Sequence, residues 1–201
     1  DDVDEVRERI RVAVHDRLAD DEQVAATTEP LDVTLGCGAR LVVRPEPGVS
    51  LVAIDAFFPG GQALESERTA GQQQILARLL LRGAGGMSAA EIDRAIDEMA
   101  ASVQPYAGAD TLGVSAVFPA ADALRGLALV ADALRDPAFP EEEFERERRR
   151  LLADLRAAES DPFFVAAREL YPRLLPGHPY RFDPRGSPDS LGRLAHRSLV
   201  R

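Results

Sequence analysis

Apolar residues recur along this chain with two periods, and the switches between them mark out its elements. Val3, Val6, Ile10 and Val14, spaced by three or four, predict an amphipathic lead-in helix over 1–18. After a polar linker at 20–30, runs of β-branched and apolar residues at 31–35, 40–44 and 49–58 are separated by glycine and proline turns. They predict three strands, a small antiparallel unit with a long third member. Pro59-Gly60-Gly61 ends that strand, and helical spacing returns at 71–83, GQQQILARLLLRG, closed by Gly83, Gly85 and Gly86. Plotted at a helical period, Ile75, Leu76, Leu79 and Leu80 share one side, the predicted core, while Gln74, Ala77, Arg78 and Leu81 share the other.

The remaining pattern is strongly helical. Ser88 with Glu91 is a capping-box signature, and Ile92, Ala95, Ile96 and Met99 supply the buried stripe of the helix it opens. Runs at 102–107 and 111–118 predict a hairpin about Gly108-Ala109-Asp110, with Pro105 marking its first strand as an edge or a bulge. Pro119 opens a helix with Leu124, Leu127, Val130 and Leu134 on one stripe, ended by Asp136-Pro137. Pro140 opens the longest helix, whose first turn holds Glu141, Glu142 and Glu143 at the positive end of the dipole. Asp161-Pro162 interrupts it, helix resumes through Leu170, 172–188 reads as an irregular loop, and a last helix starts within 187–190. Strands, two helices, a hairpin and two helices predict an α+β class: an antiparallel or mixed sheet with helices packed on one face. Residues 1–28 are expected to form the lead-in helix and linker and 29–201 a single α+β domain, expected to be a fragment of a longer chain.

Composition narrows the function. With 201 residues, 45% of them hydrophobic, there is enough apolar material for a proper core. A net charge of -10 argues against a nucleic-acid partner, which would need a basic surface. No apolar run approaches the roughly 20 residues needed to cross a bilayer, and the acidic start DDVDEVRERI is unlike a signal peptide. A soluble chain of cytoplasm or periplasm is expected. The single Cys37, in a Gly-Cys-Gly turn, has no neighbouring base and excludes an internal disulfide.

Candidate chemistry is mostly absent. His15, His178 and His196 lie far apart, and none has a second ligand three or four residues away on the same helix face. His15 reads as an exposed helical residue and His178 as loop packing. No G-x-S-x-G elbow or glycine-rich phosphate loop occurs. Alternating charge over 141–150, such as Glu145 with Arg149, reads as a solvated face, as would Gln74 and Arg78 on an ordinary helix.

The order of the motifs resembles the pitrilysin and insulinase family of zinc metallopeptidases, which includes the mitochondrial processing peptidases. The similarity runs from about Leu31 onward. It is carried by the strand at 38–43, the long strand ending in Pro59-Gly60-Gly61, Glu65 to Gly71 leading into the helix, and Gly83 after it. Glu145-Arg146-Glu147-Arg148, Asp161-Pro162 and Gly177-His178-Pro179-Tyr180 follow in order. Active members carry G-x-x-H-x-x-E-H where this chain has Gly71-Gln72-Gln73-Gln74-Ile75-Leu76-Ala77-Arg78. By this resemblance both histidine ligands and the general base are replaced, at Gln74, Arg78 and Ala77. The family's third ligand, a glutamate seven residues after a glutamate of the E-R-E-R run, falls on Asp154, counting from Glu147.

One aspartate beside a guanidinium is not a zinc field, so no catalytic residue, no metal ligand and no cofactor are expected in this segment, zinc being expected only in a partner half. Arg78 is expected to pair with Asp154 across the old site. The resemblance implies an inactive half: a non-catalytic domain that helps to wall a peptide chamber and pairs, in the same chain or as a dimer, with an HxxEH-bearing half. Two alternatives stand beside it, a zinc-dependent endopeptidase with a divergent site and a purely structural or interaction module. If Asp55, Glu65, Glu67 and the Asp1-Asp2 pair face the chamber, basic peptides are preferred.

Overall fold

A computed structural model describes residues 30–199 apart from Cys37; the expected lead-in helix, His15 and the Asp1-Asp2 pair lie outside those residues. Contacts divide the chain into two compact units, Asp1–Val49 and Ser50–Arg201. In the first, β1 (Leu31–Thr34) and β2 (Arg40–Val43) pair antiparallel, Val33 opposite Leu41. The Arg40 guanidinium clamps Asp32 with contacts of 2.9 and 2.5 Å and holds its carboxyl below the usual range.

The second unit is built on β3 (Leu51–Pro59), β6 (Ser102–Ala107) and β7 (Thr111–Pro119), an antiparallel sheet in the order β3-β7-β6. Here the structure differs from the three-strand unit expected at the start of the chain. The long strand pairs with the second strand of the later hairpin, Ile54 opposite Ala116, while β1 and β2 form a separate two-stranded sheet. Alternation shows that one face of a strand is buried, but not which surface buries it. The neighbour is β7, whose Val114, Ala116 and Phe118 are almost fully buried, and Ile54 and Ala56 extend that face against the core.

Between β3 and β6 lie α1 (Gln72–Leu79), the short pair β4 (Gly83–Ala84) and β5 (Met87–Ser88), and α2 (Ala89–Glu98). After β7 come α3 (Ala123–Arg135), α4 (Glu141–Ala158), α5 (Pro162–Leu174) and α6 (Pro188–Arg193). The α2 capping box is present as read, and Ile92 and Met99 are buried with Ala95 and Ile96 packed beside them. The stripe of α3 is rotated from the one expected. Ala123, Gly126, Leu129, Val130 and Ala133 face the sheet, and Leu124 is half exposed. The cause is Gly126, where a Cβ would lie 2.4 Å from the Phe118 ring, so the smallest residue of the helix sits against the sheet. On α4 the acid–base pairs run i to i+3, Glu145 with Arg148 and Glu143 with Arg146, and not Glu145 with Arg149. Helix α5 continues past Leu170 with Pro172 inside it, and Pro179–Arg181 forms a short 3-10 turn in the stretch read as a loop.

Two cores result. One joins the sheet to α2 and α3; the other joins α1, α4 and α6 through Ile75, Leu79, Phe144, Leu151, Leu155 and Leu191. Within the Ser50–Arg201 unit, the described helices pack on one sheet face. On the opposite face Leu51, Phe57 and Val117 are exposed.

Candidate functional site: a helix pair joined by one guanidinium

Helix α1 starts at Gly71, which adopts φ 90°, a left-handed conformation that glycine enters without strain. A Cβ there would stand 2.5 Å from the Arg185 carbonyl, so the 65–71 segment and the 185–190 loop close on each other through glycine. Ser190 Oγ donates to the Ala70 carbonyl at 2.8 Å and locks the contact. Glu65 completes this seat. Its carboxylate accepts the backbone N–H of Gly71 at 3.1 Å and of Gln73 at 2.8 Å, capping the first turn of α1. Burial raises its pKa from 4.5 to about 7, against the lowering effect of those N–H groups. Glu65 therefore belongs to the interior and not to an acidic chamber surface.

Seated this way, α1 is buried on both sides, which corrects the one-sided reading of its pattern. Ile75 and Leu79 enter the second core, but Ala77 and Leu81 are also buried, at 2% and 6% exposure. Gln74 is not solvated either: its Nε2 donates to the Ala107 carbonyl on β6 at 2.9 Å. Arg78 reaches across to α4. Its Nη2 lies 3.4 Å from Asp154 Oδ2, the pairing expected from the register, and its Nη1 lies 3.4 Å from Glu147 Oε2.

The Glu147 contact was not anticipated. Glu147 and Asp154 stand two helical turns apart on α4, with the fully buried Leu151 between them, so all three share the face turned to α1. That spacing is legible in the sequence; that Glu147 is buried, with a side chain 4% exposed, is not. A carboxylate so desolvated needs a charged partner, and Arg78 provides it, with Arg150 3.8 Å away on the other oxygen. Asp154, at the same distance, is half exposed, so water screens its contact more.

Beside this ion pair opens a cleft of about 790 Å³, walled by Arg78, Arg82 and Arg150, by Asp93, Asp97 and Asp154, and by Val103 to Pro105 of β6. Among the described residues no cluster of three metal-ligating side chains forms. A zinc ion does not fit the groups at the four positions singled out. Gln74 donates its Nε2 to β6, Ala77 offers a methyl group, and the Arg78 guanidinium stands between Glu147 and Asp154. His178 does not turn toward this site; its Nδ1 accepts the Tyr180 N–H at 3.2 Å as a local cap, the loop-packing role expected. His196 Nε2 contacts the Phe139 carbonyl at 2.5 Å, beside Phe144.

A sheet with helices on one face, and a helix pair joined by Arg78 to Glu147 and Asp154, make up an α+β domain. The insulinase profile, peptidase family M16, matches residues 40–187, and the chain belongs to that family. Subunit 1 of the mitochondrial cytochrome b-c1 complex of Caenorhabditis elegans is 24% identical over 188 residues, which are 94% of this chain and 38% of the relative. An inactive domain of a peptidase M16 from Pseudomonas fluorescens superposes with a TM-score of 0.78 at 20% identity, over 85% of this chain and 42% of that one. Pitrilysin superposes with a TM-score of 0.74 at 19% identity, over 89% of this chain and 20% of that one. The chain thus spans well under half the length of the relatives it matches. No helix among the described residues is long and apolar enough to cross a membrane.

Proposed function

We propose that this is a non-catalytic domain of an M16-type peptidase, which walls part of a peptide-binding chamber and pairs with a half that carries the HxxEH motif. The observation that carries the reading is the Arg78 guanidinium, held between Glu147 and Asp154 where the family's active members use metal-binding side chains. A cation bonded to both acids repels a second cation and occupies the two carboxylates of α4 that face it. No residue of this segment then acts as ligand, general base or cofactor site, and zinc belongs to the partner half. The divergent-peptidase alternative would need ligands that Gln74, Ala77 and Arg78 do not supply.

Support for pairing comes from the sheet face on which Leu51, Phe57 and Val117 are exposed, and from α5, where Phe163 is 87% and Leu174 61% exposed. The similarity to a cytochrome b-c1 subunit favours a second reading, an interaction module working without a peptidase partner. The test is purification with and without an HxxEH-bearing half encoded by the same organism. A stable pair that cleaves a quenched peptide, with zinc only in the partner, supports the proposal. Stoichiometric zinc in this chain alone overturns it, and failure to pair turns the assignment to the second reading.

A further inference from the structure

We propose that Gln74 and Pro105 close the outward edge of β6, so that a polypeptide in the cleft is held through side chains and does not add to this sheet as a strand. The inference rests on the chamber reading above. Strand β6 is an edge of the three-stranded sheet, and its residues Val103, Gln104 and Pro105 line the cleft. An edge beside a cleft is the usual place for an extended chain to add by backbone pairing.

The alternation of antiparallel pairing decides which backbone groups point outward. The Gly108 N–H donates to the Thr111 carbonyl at 2.8 Å, which fixes the phase of the hairpin. Counting back by twos in the register, Tyr106, Gln104 and Ser102 turn to β7, and Val103, Pro105 and Ala107 turn outward. The other side of β7 agrees. The Gly60 N–H donates to the Asp110 carbonyl at 2.9 Å, so even-numbered residues of β7 serve β3 and odd-numbered ones serve β6.

Two of the outward groups are disabled. Pro105 has no N–H, which removes the middle donor of the edge. The Ala107 carbonyl already accepts from Gln74 Nε2 at 2.9 Å. An incoming strand would find an acceptor without a donor opposite it, then a carbonyl already taken, both on a short strand. The opposite edge shows the contrast. On β3, Leu51, Ala53, Asp55, Phe57 and Pro59 point outward, and all but Pro59, at the very end of the strand, keep their N–H. The edge at the cleft is interrupted at its middle donor and at a carbonyl already taken, whereas the β3 edge lacks a donor only at its end. It also gives Gln74 a role of its own: at this place its amide joins α1 to β6 and at the same time occupies the edge.

The test is amide hydrogen exchange by NMR on the whole chain, with and without millimolar amounts of a soluble extended peptide alternating valine and arginine. The wild type is compared with Pro105→Val and with Gln74→Ala/Pro105→Val. In the wild type the Val103 and Ala107 amides should exchange at the same rate with and without peptide. In the double variant, peptide should slow exchange at positions 103, 105 and 107 by about tenfold or more. Pro105→Val alone restores the donor and should gain protection at 103 and 105, which keeps the test open if the double variant does not fold. Peptide-induced protection of the wild-type edge, or none in the folded variants, overturns the proposal. Fluorescence anisotropy of the same labelled peptide judges the chamber separately: no binding by the wild type counts against the chamber, while protection in the variants still upholds the closed edge.

Discussion

At the scale of single residues, Arg78 and Glu65 show how differently two charges are held. Removing Arg78 leaves Glu147 buried with only Arg150 at 3.8 Å, so Arg78→Ala should destabilise by about 2–3 kcal/mol in urea unfolding. Asp154→Ala removes a half-exposed partner of the same guanidinium and should cost less than about 1 kcal/mol. Equal costs for the two would show that the guanidinium is not held chiefly by Glu147. Glu65 makes stability depend on pH. Its folded pKa is raised from 4.5 to about 7, so the folded state binds this proton more tightly than the unfolded one. Its contribution is therefore fully present below about pH 4.5 and is lost as pH rises through about 7. Urea midpoints of wild type and Glu65→Gln should accordingly differ more in favour of the wild type at pH 5 than at pH 8. A gap that widens toward pH 8 would contradict the assigned direction.

At the scale of elements, each helix is set by a local signal and a distant one, and the two can disagree. Helix α2 is local: Ser88 and Glu91 cap each other, and Ser88→Ala should cost about 1 kcal/mol, read from the thermal midpoint. Helix α3 is distant, because its facing side is decided by the fit of Gly126 to Phe118. Gly126→Ala raises helix propensity yet should destabilise by about 1–3 kcal/mol through overpacking, and Phe118→Leu in the same chain should recover part of the loss. A stabilised Gly126→Ala would mean that α3 is free to turn to the Leu124 stripe. Helix α1 combines both kinds of signal. Its apolar side was legible from spacing, but Ala77 and Leu81 are buried because α1 is packed on α4 on one side and on β6 on the other.

For the whole molecule, the Ser50–Arg201 unit joins two cores with α1 bordering both the sheet and the α4 layer, so the ion pair and the cleft sit where the layers meet. A metal bound to the folded state would stabilise it by about 2.7 kcal/mol at a hundred times its dissociation constant and so raise the unfolding midpoint. Added zinc should leave the midpoint of this chain unchanged, whereas a zinc-dependent rise abolished by Asp154→Ala would restore the divergent-peptidase reading.

Period and punctuation in the sequence were enough to determine the α+β class, the second helix with its cap and the hairpin at Gly108, and the order of the motifs was enough to suggest the family. These are local signals, written within a few residues of where they act. Only the tertiary structure decided that β3 pairs with β7, that Glu65 and Glu147 are buried, that α3 turns Gly126 to the sheet, and that Gln74 is spent on β6. Each of those depends on what arrives from far along the chain. A strand's alternation or a carboxylate's spacing records that a partner is needed, and the packed fold alone supplies which one.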